Sequence, residues 1–115
     1  MKIDKFEDII AWQKAQMLTM MIYKAFKECR DFDFKRQIER ASVSIMNNIA
    51  EGFERKSNKE FVYFLFVAKG SSAEVRSMLN LSLNLGYTDN EESREMHQIA
   101  VEIAKMISAL IKTLK

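Results

Sequence analysis

The sequence predicts an all-α protein, an antiparallel up-down-up-down four-helix bundle formed by residues 1–115 as a single domain, and three observations predict it. First, the 115 residues contain no proline and only three glycines, whereas a sandwich, barrel or doubly wound sheet needs a Gly, Pro, Asn or Asp turn about every 8–12 residues. Second, apolar residues recur at steps of three and four through four segments, the period of a helix with one buried face. Third, only a few residues separate these segments, so neighbouring helices have to run antiparallel and no long crossover can be built. With 48% hydrophobic and 30% charged residues, the chain has the composition of a protein with a buried core.

The first helix is expected from about Asp8 to Cys29. Ala11, Ala15, Leu18, Ile22 and Ala25 form its inner stripe, and Trp12, Met17, Met21 and Phe26 widen it. Asp31 and Asp33 are both good N-caps, so a short connection opens a second helix from about Phe34 to Lys56. Its core face is Ile38, Ala41, Ser42, Ile45, Ile49 and Phe53. Ser57, with Glu60 three residues on, makes a capping box for a third helix that runs to about Leu85. Gly86 then supplies a left-handed stop. Thr88 with Glu91 makes a second capping box for the fourth helix, which ends near Leu114 and carries Met96, Ile99, Ala100, Ile103, Ile107, Leu110 and Ile111 on one face.

The two middle helices carry the unusual features. On the second, Gln37, Arg40, Ser44, Asn48, Glu51 and Arg55 fall on one narrow stripe beside the core face. Such a stripe is either a solvated face or a polar seam, in which Arg40, Asn48 and Glu51 satisfy one another and Ser71 and Glu74 join from the third helix. The third helix opens Phe61-Val62-Tyr63-Phe64-Leu65-Phe66-Val67-Ala68, apolar on every side. One core covers one side, so Val62, Tyr63, Phe66 and Val67 are candidates for a subunit interface; the alternatives are that this aromatic surface stays exposed or is wrapped by Ile3 and Phe6 of the N-terminal tail. Gly52 and Gly70 sit inside helices, where each costs about 1 kcal/mol relative to alanine and close approach by a neighbour is the expected compensation. Eight methionines, among them Met17, Met20, Met21, Met46, Met78 and Met106, are expected to fill the core.

Several chemistries are poorly served. One Cys29 and one His97 give neither an internal disulfide nor a zinc site and suit a reducing cytoplasm. A di-iron bundle needs two Glu-x-x-His pairs, and the residue three before His97 is Arg94. The isolated glycines make no phosphate loop, and Ser71 or Ser72 lacks an elbow turn and a nearby base. An enzyme built around Glu51 and Glu74 is the weakest reading. The longest apolar run, Phe61 to Ala68, is far shorter than the roughly 18 residues of a spanning helix, and the N-terminus has no signal-peptide pattern. The expectation is a soluble, unprocessed, cytoplasmic protein without enzymatic activity, cofactor, metal or membrane.

A net charge of +2 is too weak to announce a nucleic-acid partner, but its placement is uneven. In an up-down-up-down bundle, the N-terminus, the turn between the second and third helices and the C-terminus share one end. That end has a surplus of two bases, and the opposite end a surplus of two acids. Repeated around an oligomer, the imbalance becomes a basic rim able to hold phosphates.

The run Gln37-Ile38-Glu39-Arg40-Ala41-Ser42-Val43-Ser44-Ile45, then Asn48-Ile49-Ala50-Glu51-Gly52 and Arg55, then Ala68-Lys69-Gly70-Ser71-Ser72-Ala73-Glu74, resembles the bacterial 23S rRNA intervening-sequence proteins. The opening Phe6-Glu7-Asp8-Ile9-Ile10-Ala11-Trp12-Gln13-Lys14-Ala15 is similar to that family's N-terminal pattern. The resemblance implies a four-helix bundle that assembles as a homopentamer, has no established enzymatic activity, and has a related branch in the nucleic-acid-binding accessory protein of diversity-generating retroelements. On this basis the expected partners are other copies of the chain and RNA or a ribonucleoprotein. Arg55, Lys56 and Lys59 are the expected phosphate contacts, assisted by Lys2, Lys5 and Lys115. The alternative is a structural or protein-interaction module that binds no nucleic acid.

Overall fold

The computed structural model describes residues 2–115 and contains four helices: α1 (Ile10–Ala25), α2 (Phe32–Phe53), α3 (Asn58–Leu85) and α4 (Asn90–Leu114). A 3-10 turn, Phe6–Asp8, precedes them. Each helix packs on its sequence neighbour, and α1 closes the square against α4; the diagonal pairs do not adjoin among the described residues. That is an up-down-up-down bundle. The 28 residues of α3, at about 1.5 Å each, account for the long axis of the 43 × 21 × 19 Å body. No helix among the described residues is long and apolar enough to cross a membrane.

The core is the one expected from periodicity. Leu18, Ile22, Ile38, Ile45, Ile49, Leu65, Ile103 and Ile107 are fully enclosed, each contributing about 1.5–3 kcal/mol of burial. Phe53, expected on that face, is only partly buried. The methionine expectation holds in part. Met78 and Met96 are buried and Met21, Met46 and Met106 lean on the core, but Met17 and Met20 are exposed on α1.

Helix ends depart from expectation where tertiary packing intervenes. Helix α1 begins two residues later than Asp8 because Phe6 turns back in the 3-10 segment and packs edge-on against Trp12, 5.3 Å between ring centres. It stops before Phe26, whose enclosed ring meets Phe34 at 5.6 Å. Asp31, one of the two candidate caps, is the cap of α2: its carboxylate accepts the Phe34 N–H at 3.2 Å, and the helix starts at Phe32. It ends at Phe53 instead of Lys56.

Ser57 caps α3 through the Glu60 N–H at 3.2 Å, but the Glu60 carboxylate accepts the Ser57 hydroxyl, so the capping box is only half formed. Gly86, at φ 78°, ends α3 in a Schellman motif, with Gly86 N–H bonded to Leu83 O and Tyr87 N–H to Ser82 O. The second capping box lies one residue beyond the expected pair and joins Asp89 to Glu92 in both directions. Thr88 is excluded from capping because its hydroxyl is buried between those of Ser82 and Ser93, at 2.8 and 2.6 Å.

At this end of the bundle the two connections are tied together. The Tyr87 hydroxyl donates to Asp31 at 2.7 Å. This bond and, secondarily, the Phe34 N–H hold the Asp31 carboxyl below its ordinary value, and the same carboxylate pushes Tyr87 up. Since the folded-state value of Asp31 lies below the unfolded one, about 4, its stabilisation is complete above about pH 4 and is lost as the pH falls through the folded-state value. Tyr87→Phe removes the larger cause. Its urea midpoint is expected to lie below wild type at pH 7, with the gap narrowing as the pH is lowered from 5 to 2; a constant gap would contradict this role for the pair.

Candidate nucleic-acid interface

The turn between α2 and α3 brings Arg55 and Lys56 to the end of the bundle where the N-terminal tail and the end of α4 meet. There a groove of about 430 Å³ is lined by Arg55, Lys56 and Asn58 together with Ile3, Phe61 and Leu114. Lys56 is exposed. Arg55 is held more firmly: its guanidinium donates to Glu51 at 2.8 Å and lies 4.7 Å from the centre of the Phe64 ring. Lys2, Lys5 and Lys59 are exposed outside the groove lining. The Lys115 ammonium sits 5.5 Å from the ring centre of Phe66. Of the six expected phosphate contacts, then, two line a common groove, three are exposed outside its lining, and Lys115 folds down onto an aromatic face.

What permits the tight α2–α3 turn is Gly52. A β-carbon there would lie 2.7 Å from the Phe64 β-carbon and 2.9 Å from the Phe61 ring, so only glycine lets the two helices approach this closely. Gly70 differs from expectation: apart from its own turn of helix, nothing lies within 4 Å of where its β-carbon would be. It faces outward on α3, and close packing within the chain does not explain it.

The polar stripe of α2 forms a seam with α3, with a different membership from that expected. Ser44 and Ser71 share a hydrogen bond of 2.8 Å across the two helices. Asn48 donates to the Ser44 carbonyl at 2.8 Å and to its hydroxyl at 3.0 Å. Gln37 reaches Glu74 at 3.4 Å. Glu51 and Arg40 do not join Asn48: Glu51 is spent on Arg55, and exposed Arg40 lines a shallow groove with Gln37, Ser44 and Glu74. The correction is one of reach, since Glu51 and Arg40 project toward solvent from the same stripe.

The opening of α3 is covered on only part of its circumference. Val62 leans on the core, so it is less available than its neighbours. Tyr63 is 64% exposed and Phe66 48%, and Val67 is exposed beside them. Leu81 and Leu85 extend this outer stripe down the helix. Ile3 and Phe6 pack onto the bundle, Ile3 at the end groove away from Phe66. On the opposite corner, α1 exposes Met17, Met20 and Tyr23.

Charged residues gather along the flank between α3 and α4, and of these the count of charges by bundle end took in Lys112 but not Lys69, Arg76 or Lys105. Lys69 and Arg76 of α3 line one groove with Lys105 and Lys112 of α4. The readable signal was a pair of like charges seven residues apart on each helix.

A family model described as 23S rRNA-intervening sequence protein matches residues 7–109 of the chain. A solved structure from Bacteroides thetaiotaomicron, described as a protein with unknown function from the S23 ribosomal protein family, is similar with a TM-score of 0.83 and 26% sequence identity; the match covers 89% of this chain and 98% of that one. No curated protein matches the chain.

Proposed function

The chain belongs to the 23S rRNA-intervening sequence protein family, and on that premise we propose that it is a non-enzymatic, homo-oligomeric bundle, pentameric in its assembled form, that acts as an RNA- or ribonucleoprotein-binding accessory. The observation that carries the reading is the pair of unlike apolar stripes, Tyr63, Phe66 and Val67 on α3 and Met17, Met20 and Tyr23 on α1, exposed at opposite corners of the square. Self-association through two different surfaces is heterologous, and heterologous contacts close into rings when the rotation permits. A ring would set five copies of the end groove side by side, multiplying a charge surplus that is slight in one chain.

The RNA half of the reading is supported by the family description and by Arg55, Lys56 and Lys59 at the rim. Each phosphate neutralised releases counterions and adds about 0.9 to the slope of log affinity against log salt. Wild type is expected to bind a structured RNA more weakly as salt rises from about 0.05 to 0.2 M. The double change Lys56→Glu and Lys59→Glu is expected to flatten the slope by about 2. Binding that ignores salt, together with capture of one protein partner, would favour a protein-interaction module instead.

A further inference from the structure

The groove between α3 and α4 has a charged lining of one sign. Lys69, Arg76, Lys105 and Lys112 surround a floor of small and aliphatic side chains, among them Ala104 and Ser108, in a volume of about 450 Å³. A second, smaller groove of about 210 Å³ lies between the same helices and is lined in part by Arg94 and His97. No carboxylate lines either. The end groove differs in that its Arg55 is already paired with Glu51.

This separation follows from how each helix distributes its charge. On α4, Arg94, Lys105 and Lys112 are 11 and 7 residues apart, within about 20° of one line at 100° per residue. Glu91, Glu95 and Glu102 fall on the other flank, where Glu102 accepts Lys14 of α1 at 3.1 Å. On α3, Lys69 and Arg76 lie on the side from which Ser72 donates to the Ala100 carbonyl at 2.9 Å. Glu74 faces α2 and Gln37. Close ion pairs among the described residues engage Lys14, Arg36 and Arg55 and none of the five groove cations; the carboxylate near Lys105, Glu102, is bonded to Lys14.

The spacing of these charges limits what they can hold. With Ser72 and Ala100 at one height and a rise of about 1.5 Å per residue, Arg76 and Arg94 share one level, Lys69 and Lys105 another about 13 Å on, and Lys112 a third about 12 Å beyond. A single small anion touches one level at most. A chain of regularly repeated negative charge touches all three.

We propose that the α3–α4 groove binds the phosphodiester backbone of RNA along its length, as a contact surface separate from the end rim. The proposal rests on the reading that this protein binds RNA, and the two can fail separately. The test is titration of the full-length protein with a short mixed-sequence RNA hairpin, comparing wild type, the groove variant Lys105→Glu with Lys112→Glu, and the rim variant Lys56→Glu with Lys59→Glu. Lys105 and Lys112 are exposed, and helicity and solution mass are measured alongside. The groove variant is expected to keep wild-type helicity and mass, to lose at least about tenfold in affinity near 0.1 M salt, and to lose about 2 from the salt slope. Unchanged affinity in the groove variant, with loss in the rim variant, would overturn the groove and leave the RNA reading standing. Absence of RNA binding by wild type would overturn both. Dissociation of the groove variant would show that a second copy covers the groove, and equal competition by polyglutamate would show a general acidic partner; either result overturns the proposal.

Discussion

Gly52→Ala is expected to destabilise the bundle by about 2 kcal/mol, although in an ordinary helix the same change adds about 1 kcal/mol. The added methyl would meet the Phe64 β-carbon at 2.7 Å and the Phe61 ring at 2.9 Å. The Phe61 ring can swing aside, but the Phe64 β-carbon is fixed to the backbone of α3, so relief requires the two helices to part near their turn. Parting them also disturbs Arg55, whose guanidinium rests on Phe64. Gly70→Ala is the matched control. Its β-carbon enters space that the chain itself leaves open, so a gain approaching 1 kcal/mol is expected where no second copy covers this face. Urea denaturation of both variants in the Tyr63→Asp, Phe66→Asp background, where the protein is expected to be monomeric, should therefore separate them by about 3 kcal/mol, roughly a hundredfold in the folding constant. Equal and small effects would show that the α2–α3 contact is looser than described.

Placing a charge on the outer face of α3 is expected to have the largest effect on assembly. Phe66→Asp combined with Tyr63→Asp replaces two side chains that are 48% and 64% exposed in the single chain. The change therefore removes little from the fold itself. If the stripe is covered by a second copy, each carboxylate would be desolvated there without a partner, at several kcal/mol apiece. The expected result is a folded, helical monomer at concentrations where wild type is assembled. Wild-type mass in the double variant would place the subunit contact elsewhere.

The helices were legible from apolar residues at helical spacing, joined in α2, α3 and α4 by a second, independent signal, a side chain able to take the first free N–H groups; α1 follows Ile9 and has no such cap. The fourth helix shows the limit of the second signal. Thr88, Asp89 and Asn90 are three consecutive caps by residue type, and the choice is made by packing, which buries the Thr88 hydroxyl between Ser82 and Ser93. Spacing likewise located the seam, since Ser44 and Asn48 are one turn apart and Ser71 arrives opposite them. It could not say how far Arg40 or Glu51 reaches, because long side chains on a stripe's margin turn to solvent or to a nearer partner.

The α3–α4 groove was the least legible feature. Counting charges by end averages over both flanks of α4, and the alignment of Lys69 and Arg76 with Lys105 and Lys112 exists only once the Ser72 to Ala100 bond sets the register of the two helices. Gly70 teaches the complementary lesson. Its position inside a helix signalled a close neighbour, yet no neighbour lies within the chain, and its place on the same outer face as Phe66 and Val67 leaves a second copy as the candidate.

Self-assembly is the claim on which the role of the end rim depends, because the charge surplus at that end of one chain is slight and only repetition makes the rim basic. The mass of the purified wild-type protein in solution at micromolar concentration, from light scattering or sedimentation equilibrium, tests it most directly. The account predicts about five times the 13.4 kDa of the chain. A mass of 13.4 kDa would contradict it.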